Sequence, residues 1–246
     1  MKTGLSNKKR NALLGAASVL CMLLLWDLAA LKAGSPRILP SVKDTAAAVW
    51  GILSDLSFIS HVGTTLLRAA GGFAASCACA VALGIPGGLH PGLDSFLRPV
   101  VSVVRSTPAV VFIVVALIWL GTDIVPVFIG FLVMFPVIYM NIVEGMRAVD
   151  PKLVQMARFY NKGTRSLVRD IYIPSIKPFL RGGICTAAGL GWKTVVAGEV
   201  LSQPRLGIGS AIHSSQIFLC VDILLAWTVV AIVVSFAFDA LIRLWK

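Results

Sequence analysis

Long apolar segments without a charged side chain constrain this chain more than any other feature. Residues 124–143 contain no Asp, Glu, Lys or Arg, and neither do residues 106–122. A helix needs about 20 mostly apolar residues to cross the hydrocarbon core of a bilayer, whereas a surface helix of a soluble protein shows a polar face. Hydrophobic residues make up 57% of the 246 residues and charged residues only 13%. We therefore expect an integral membrane protein.

Apolar segments of this kind predict about six membrane spans. In lipid the backbone of each span must satisfy its own hydrogen bonds, and continuous apolarity without alternation favours helices over a barrel. The expected fold class is an all-α membrane protein, interpreted as a single transmembrane domain over residues 1–246. The expected spans are 11–31, 61–86, 100–121, 124–146, 178–200 and 220–243.

The first apolar segment could also be a secretory signal, because Lys8, Lys9 and Arg10 precede it. It is longer than a typical signal core, however, and residues 27–30, Asp-Leu-Ala-Ala, form a poor cleavage site. We interpret this segment as a membrane helix that the protein retains.

The distribution of basic residues predicts the orientation of the chain. Most of the 22 Lys and Arg residues flank the outermost spans or lie in the loops 86–99 and 147–181. By the positive-inside rule that side is cytoplasmic, so we expect a multi-pass protein of the cytoplasmic (inner) membrane with both termini in the cytoplasm. The basic residues follow the loops without interleaved aromatic residues, which favours contact with anionic lipid over nucleic acid. The opposite side holds only Lys32, Arg37, Lys43 and Arg205.

Nothing in the sequence resembles a catalytic or metal-binding constellation. Cys77 and Cys79 would point about 200° apart on a helix, which disfavours a shared metal site. Residues 189–194, Gly-Leu-Gly-Trp-Lys-Thr, resemble the end of a phosphate-binding loop, but Trp192 stands where that loop needs glycine. We expect no metal or cofactor bound by this chain and no enzyme activity of its own.

The large loop after the fourth span carries a strong signal for a short helix. Asp150 and Pro151 form a typical helix start, with Asp as the N-cap and Pro at the first helical position. The helix predicted over 152–160 places its apolar residues at three-to-four spacing, on one face. Those residues are Leu153, Met156, Ala157 and Tyr160.

The end of this helix is also visible in the sequence. Asn161 and Gly163 tolerate the left-handed conformation that closes a helix. Thr164 is predicted to cap a second helix over 165–173, which Pro174 is expected to stop. The result is a helix–turn–helix on the cytoplasmic face, apolar on one side and basic on the other.

This loop resembles the EAA loop of the permease subunits of binding-protein-dependent ABC importers. That loop has Glu-Ala-Ala, a glycine six residues after the Glu, and a hydrophobic residue followed by Pro about a dozen residues later, and the spacing here fits. Gln, Met and Asn replace Glu, Ala and Gly. The replacement by Asn is mild because Asn visits the left-handed region, whereas Gln removes a charge. The matching residues are Gln155, Met156, Ala157, Asn161, Ile173 and Pro174.

The resemblance extends to the flanking spans. Residues 105–108, Arg-Ser-Thr-Pro, followed by an apolar segment that ends at Gly121, are similar to the third span of this group. Residues Trp192, Lys193 and Glu199, with Gly-Ile-Gly at 207–209, resemble the fifth span and the following loop of the nitrate/sulfonate/taurine branch.

The resemblance implies a type I ABC importer permease fold with a cytoplasmic coupling helix. It implies two ABC ATPase subunits that use ATP, an extracytoplasmic substrate-binding protein, and a second permease subunit, expected to be a second copy of this chain. The solute is expected to be small and anionic, similar to a sulfonate, nitrate or taurine. ATPase docking is expected in the cytoplasmic loop 147–177, through Gln155, Met156, Ala157, Arg158, Tyr160, Asn161 and Gly163.

Three charges inside the expected spans are further candidates. Arg68, Lys193 and Glu199 each cost free energy in lipid and should face a partner or a water-filled cavity. Lys193 and Glu199 are about 240° apart around a helix, so they are not expected to pair. A basic Arg68 or Lys193 would suit an anionic solute in the pathway, but a snorkelling or helix-pairing role is equally open.

Several alternatives stay open at this point. A secondary transporter should show duplicated halves with broken helices, and we find no such similarity; co-purification of an ATPase would separate the two classes. The helix predicted within residues 32–60, with Trp50 at headgroup level, could brace the spans or touch the binding protein. The small residues of the second and fifth spans could build the subunit core or a dimer contact.

Overall fold

The computed structural model describes the backbone of residues 3–244 and the side chains of residues 10–240. Every regular element in this range is helical, which confirms the expected all-α class. The helices are α1 (Thr3–Ala33), α2 (Val42–Ser54), α3 (Ser57–Leu89), α4 (Pro91–Ser106), α5 (Ala109–Arg147), α6 (Pro151–Phe159), α7 (Thr164–Leu167), α8 (Ile173–Ser202), α9 (Ile208–Ile217) and α10 (Val221–Leu244).

Five helices are long and apolar enough to cross a membrane, in agreement with a multi-pass protein. They account for about six spans because one of them, α5, contains 39 residues and would be about 58 Å long if straight, nearly twice the hydrocarbon thickness. The five segments are Arg10–Ala33, Ser57–Leu89, Ala109–Arg147, Thr164–Ser202 and Val221–Ala240.

Gly121 divides α5 into a helical hairpin. Its backbone, with φ of 69° and ψ of 163°, leaves the helical region and uses the left-handed half of the map that glycine tolerates. Residues on both sides of it share one hydrophobic cluster that includes Ile113 and Ile129. Those two residues would be about 24 Å apart in a straight helix. The two halves of α5 therefore fold back on each other.

The expected third span, 100–121, differs in its boundaries. The chain is interrupted at Thr107 and Pro108, between α4 and α5. Proline lacks the N–H that continues a helix and pushes the preceding residue towards extended geometry, and Thr107 has φ of −80° and ψ of 130°. The segment before Gly121 is therefore built from the end of α4 and the first turns of α5.

The chain divides into two compact units. The interpretation as a single transmembrane domain stays a prediction. The first contains the described residues up to Phe58 together with Ala211–Val230. Inside it, the Trp26 indole N–H donates to the Pro40 carbonyl over 3.0 Å, and the Asp27 carboxylate accepts the backbone N–H of Val42 over 2.9 Å. These bonds attach the end of α1 to the start of α2.

The second unit contains Ile59–Ser210 and the chain from Ala231 onwards, and its main packing pair is α5 with α8. A Cβ atom on Gly183 would stand 2.7 Å from the Asn141 side chain, and one on Gly72 would stand 2.8 Å from the Val127 carbonyl oxygen. These small residues let α3 and α8 approach α5 closely. The structure therefore places them in the core of the subunit itself.

The second loop helix does not stop at Pro174, contrary to the sequence prediction. A π-helical turn at Val168–Tyr172 joins α7 to α8, and the Ile173 N–H bonds to the Val168 carbonyl, five residues back. This wider turn removes the clash that proline causes with the carbonyl four residues before it. The cap also differs, because Gly163 is the N-cap and Thr164 is the first helical residue.

Candidate functional site

The loop between α5 and α8 begins with the helix start that the sequence predicted. The Asp150 side chain accepts the backbone N–H of Lys152 over 2.8 Å, and Pro151 occupies the first helical position of α6. Proline costs nothing there because its missing N–H would have no partner inside the helix. The local sequence thus fixes where α6 begins.

The end of α6 has the geometry of a Schellman motif. Asn161 has φ of 51°, which confirms the left-handed conformation predicted for it. The Lys162 N–H bonds to the Ala157 carbonyl over 3.0 Å, and the Asn161 N–H bonds to the Arg158 carbonyl over 2.9 Å. This pair of bonds satisfies the last carbonyl groups of the helix.

The side chains of α6 divide into one that faces the protein and several that face outwards. Ala157 is buried, with 7% exposure, so it contacts the body of its own chain. Phe159 and Tyr160 are 84% and 70% exposed, and their rings stack edge to face with centroids 5.9 Å apart. The other residues expected to dock the ATPase are exposed as well: Gln155, Met156, Arg158, Asn161 and Gly163.

Phe159 was missed by the sequence reasoning, although its signal was present. The three-to-four spacing selected Leu153 and Met156, and Phe159 lies three residues after Met156. We call Leu153, Met156, Phe159 and Tyr160 the apolar face of α6. Each of these side chains is more than two-fifths exposed, which is unusual for apolar residues so close together outside an interface.

A second site lies around Arg68 and Glu199, which the structure brings together across 131 residues of sequence. The Arg68 guanidinium donates to the Glu199 carboxylate over 2.7 Å and to the Asp123 carboxylate over 2.6 Å. It also donates to the Leu206 carbonyl over 2.6 Å. Glu199 is fully buried, whereas the Asp123 side chain is 69% exposed.

The same carboxylate holds the start of α9. Glu199 accepts the backbone N–H of Gly209 over 3.0 Å and the Thr65 hydroxyl over 2.9 Å. Thr65 in turn accepts the Ile208 N–H over 2.8 Å. Gly207 has φ of 152°, and a Cβ atom on it would stand 2.6 Å from the Glu199 carboxylate. Only glycine fits this backbone beside the buried acid.

The three intramembrane charges therefore have different environments. Arg68 and Glu199 belong to one buried network, which we call the Arg68 network together with Thr65 and Asp123. Lys193 is exposed on α8, and no carboxylate lies within salt-bridge distance of it in the part of the chain that the structure describes. The sequence did not suggest Asp123 or Thr65, because no local spacing links residues so far apart.

A third polar cluster joins α4 to the end of α5. Asp94 is buried and accepts hydrogen bonds from Arg147 over 2.6 Å, Arg98 over 2.9 Å and the Tyr139 hydroxyl over 3.1 Å. Burial by itself raises the pKa of Asp94, but the Tyr139 hydroxyl and the two guanidinium groups outweigh it and hold the pKa below its ordinary value. Asp94 is therefore ionised at neutral pH.

Neither a metal cluster nor a phosphate-binding loop is found in the described part of the chain. No group of three or more His, Cys, Asp or Glu side chains with metal-binding geometry occurs among residues 10–240. The segment 189–194 lies inside α8 and is helical, so its glycines do not form a loop around a phosphate.

Comparison with known proteins decides the family. Residues 80–245 match the family of binding-protein-dependent transport system inner membrane components, so the match covers about two thirds of the chain. The chain belongs to this family. The permease resemblance drawn from the loop at residues 147–177 is thereby confirmed.

Curated relatives cover most of the permease. It is 26% identical over 225 residues to a putative ABC transporter permease protein of Methanocaldococcus jannaschii, covering 89% of this chain and 84% of the relative. It is 24% identical over 225 residues to the taurine transport system permease protein TauC of Escherichia coli, covering 89% and 81%. It is 29% identical over 193 residues to the putative aliphatic sulfonates transport permease protein SsuC of the same organism, covering 77% and 72%.

These relatives confirm the resemblance to the sulfonate and taurine branch of type I importer permeases. The permease is thus a multi-pass membrane subunit of a binding-protein-dependent ABC importer, and membership of that class implies ATPase and binding-protein partners. The members of this family are transport components and not enzymes.

Proposed function

We propose that the permease forms the pathway for a small anionic solute delivered by a binding protein, and that α6 couples it to the ATPase. The observation that carries this proposal is the apolar face of α6, where Phe159 and Tyr160 stand 84% and 70% exposed. Apolar surface on this scale stabilises an interface by about 25 cal/mol per Å² when it is removed from water. A cleft on the ATPase would cover it.

The geometry of the loop supports a role for all seven residues of the expected docking set. Met156, Arg158 and Tyr160 would contact the ATPase, and Gln155 offers a neutral amide where related loops carry Glu. Ala157 and the turn at Asn161 and Gly163 would instead set the angle of α6 against the permease, since Ala157 is buried in its own chain.

The assembly we propose contains two ATPase subunits and a second copy of the permease. ATP would be bound and used only by the partner ATPases, which would act on α6 from the cytoplasm. Both termini and the loop 150–174 would lie on that side, as the distribution of basic residues predicts. ATP-driven closure would then shift the permease between inward-open and outward-open states through its contact with α6.

The charge that suits an anionic solute is Lys193. The Arg68 guanidinium is already engaged by two carboxylates and a carbonyl, and only 9% of its side chain is exposed. Lys193 is exposed on α8 within a membrane-spanning segment. An ammonium group in that position requires water or a partner rather than lipid. We propose that it lines the pathway.

The test of ATPase docking is Phe159→Asp in the complete importer. We expect the variant to insert normally but to lose its co-purifying ATPase, because a charge desolvated in an interface costs several kcal/mol. Phe218→Asp is the matched control, since Phe218 is also largely exposed, at 77%, but lies outside the cytoplasmic loop. It should retain the ATPase.

A helix that merely rests on anionic lipid would behave differently. In that case Phe159→Asp would leave ATPase co-purification and solute uptake at the level of the Phe218→Asp control. That outcome would remove α6 from the interface. Uptake of ethanesulfonate, taurine and nitrate by the reconstituted importer would then test the solute class separately.

A further inference from the structure

Two cavities in the second unit, beside the end of α4 and the second half of α5, share three lining residues, Arg105, Met140 and Glu144. The first has a volume of about 420 Å³ and is lined by polar and charged side chains that include Asp94, Arg98, Ser102, Tyr139 and Arg147. The second has a volume of about 440 Å³ and continues between α4, α5 and α8 towards Thr186 and Leu190. Arg105 thus stands where a charged cavity adjoins a cleft between spans.

Among the described residues that line the first cavity, Arg105 is the cation for which no salt bridge to a carboxylate is found. Arg98 and Arg147 both donate to the buried Asp94 carboxylate, at 2.9 Å and 2.6 Å. Within the described residues, the Arg105 guanidinium donates to the Met140 sulfur over 3.3 Å. A thioether is a weak acceptor. Most of the donor capacity of Arg105 is therefore available to a ligand.

The position of Arg105 along the spans requires water or a ligand beside it. Met140, which it contacts, precedes Arg147 by seven residues, or about 10 Å along α5. Arg105 is exposed there, and an exposed guanidinium at that depth is costly in hydrocarbon. The second cleft also contains Thr107, Asn141 and Thr186, which favour a hydrated passage over contact with lipid tails.

We propose that Arg105 binds the oxyanion of the solute, such as a sulfonate or carboxylate, where the pathway opens to the cytoplasm. This inference rests on the proposed transport function and adds a residue to it. A planar guanidinium presents parallel N–H donors that match two oxygens of an oxyanion. A lipid phosphate offers the same oxygens, so the lipid headgroup is the other source of this ligand chemistry.

Glu144 would help the proposed site to release its anion. It lines both cavities beside Arg105 and is exposed, so its carboxylate repels the anion that Arg105 attracts. A site on a transport route must bind strongly enough to admit the solute and weakly enough to release it. One available guanidinium and one carboxylate that line the same two cavities would meet both conditions.

The first experiment measures the anion preference without requiring transport. Ser102 is exposed and lines the first cavity, so Ser102→Cys is introduced into a cysteine-free importer in inside-out vesicles. The measured quantity is the reaction rate of an anionic methanethiosulfonate reagent divided by that of a cationic one. We expect this ratio to fall several-fold when Arg105→Gln is added. Ethanesulfonate should slow the reaction only when Arg105 is present. Arg181→Gln is the control, because Arg181 is exposed on α8 but lines neither cavity.

The second experiment identifies the source of the anion. Uptake of ethanesulfonate is measured in liposomes of phosphatidylcholine, with and without phosphatidylglycerol. If the solute occupies the site, Arg105→Gln should reduce uptake about ten-fold in both membranes, Arg105→Lys should recover part of it, and Arg181→Gln should match the wild type. If a lipid headgroup occupies it, phosphatidylglycerol should change the wild-type rate and Arg105→Gln should abolish that change, which would overturn the assignment to the solute.

The two proposals can fail separately. A chain that transports no anion would show no ethanesulfonate uptake, yet residue 102 would still report the anion preference created by Arg105. Equal reaction of Cys at position 102 with both reagents, before and after Arg105→Gln, would overturn the anion site while leaving the transport proposal intact.

Discussion

At the scale of single residues, the permease combines a buried acid with a backbone that only glycine can adopt. Glu199 is fully buried, and its oxygens accept hydrogen bonds from Arg68, Thr65 and the Gly209 N–H. A buried ion pair of this kind is weak evidence for stability in itself, but removal of one partner leaves an uncompensated charge. The Arg68 network should therefore respond asymmetrically to substitution.

Arg68→Met should destabilise the permease by about 3–5 kcal/mol, because Glu199 would remain buried without its cation. The double variant Arg68→Met with Glu199→Gln should recover much of that loss, since the buried charge is gone. The measurement is the thermal midpoint of the detergent-solubilised protein. A double variant as unstable as Arg68→Met alone would contradict the pairing seen here.

Asn161 provides a second residue-scale prediction through its φ of 51°. Asn161→Gly should be tolerated, whereas Asn161→Val should cost about 1–3 kcal/mol, because a β-branched residue is strained in the left-handed region. We expect Asn161→Val to reduce ATP hydrolysis stimulated by the binding protein, at unchanged expression. Lys162→Val is the control, since residue 162 lies outside the left-handed region. Equal activity of the Gly and Val variants would mean that the turn does not require this conformation.

At the scale of elements, the short helix α6 was predictable and the long helices were only partly so. Both ends of α6 depend on residues within a few positions, namely the cap at Asp150 and the turn at Asn161. The prediction that Pro174 stops the second loop helix is wrong, because a π-helical turn accommodates the proline. Packing of α8 against α5 also favours continuation of the helix. Local patterns do not encode such tertiary choices.

The candidate site shows the same division between local and distant information. Exposed residues of α6 follow from helical spacing, so most of the apolar face could be predicted. The pairing of Arg68 with Glu199 could not be predicted, because the two residues are 131 positions apart and no local sequence pattern links them. The reverse holds for Ala157, which the spacing placed on the docking face but which the structure buries against its own chain.

The Asp94 cluster gives a pH-dependent prediction at the element scale, because it joins α4 to the end of α5. Since its pKa is lowered in the folded state, ionised Asp94 contributes stability above the ordinary carboxyl pKa of about 4, and that contribution is lost as the pH falls through the lowered value. Asp94→Asn should therefore destabilise the permease by about 1–3 kcal/mol near neutral pH, and the difference should shrink as the pH falls below the ordinary carboxyl pKa of about 4.

Thermal unfolding of wild type and variant across this pH range is the measurement. Asp170→Asn is the control, because Asp170 is exposed and bonds to the Ser166 hydroxyl over 2.8 Å. A difference between wild type and Asp94→Asn that is constant with pH would show that ionisation of Asp94 does not contribute.

At the scale of the whole molecule, orientation in the membrane is the property that the distribution of basic residues predicts. The positive-inside argument rests on the Lys and Arg residues of the loops. It assigns position 162 and position 205 to opposite sides.

Cysteine labelling in a cysteine-free background tests this orientation. In intact cells an impermeant reagent should modify Arg205→Cys but not Lys162→Cys, and in inside-out vesicles the reactivities should be reversed. Labelling of position 162 in intact cells would invert the topology. Detection of both residues from the same side would contradict the number of crossings between them.

The continuity from Thr164 to Ser202 has a mechanical consequence. With 39 residues this helical segment is about 58 Å long, and its first residue follows the α6 turn while its last turn carries Glu199. An axial push of a few ångströms near Gly163 would therefore arrive at Glu199 almost undiminished, because the segment contains no loop that could absorb it. The regular α-helical hydrogen bonding is interrupted at the π-helical turn and at Pro178, so bending is expected first at these two points. We expect this helix to transmit axial displacement, so that movement of its Thr164 end also moves the segment around Gly207, which packs against Glu199.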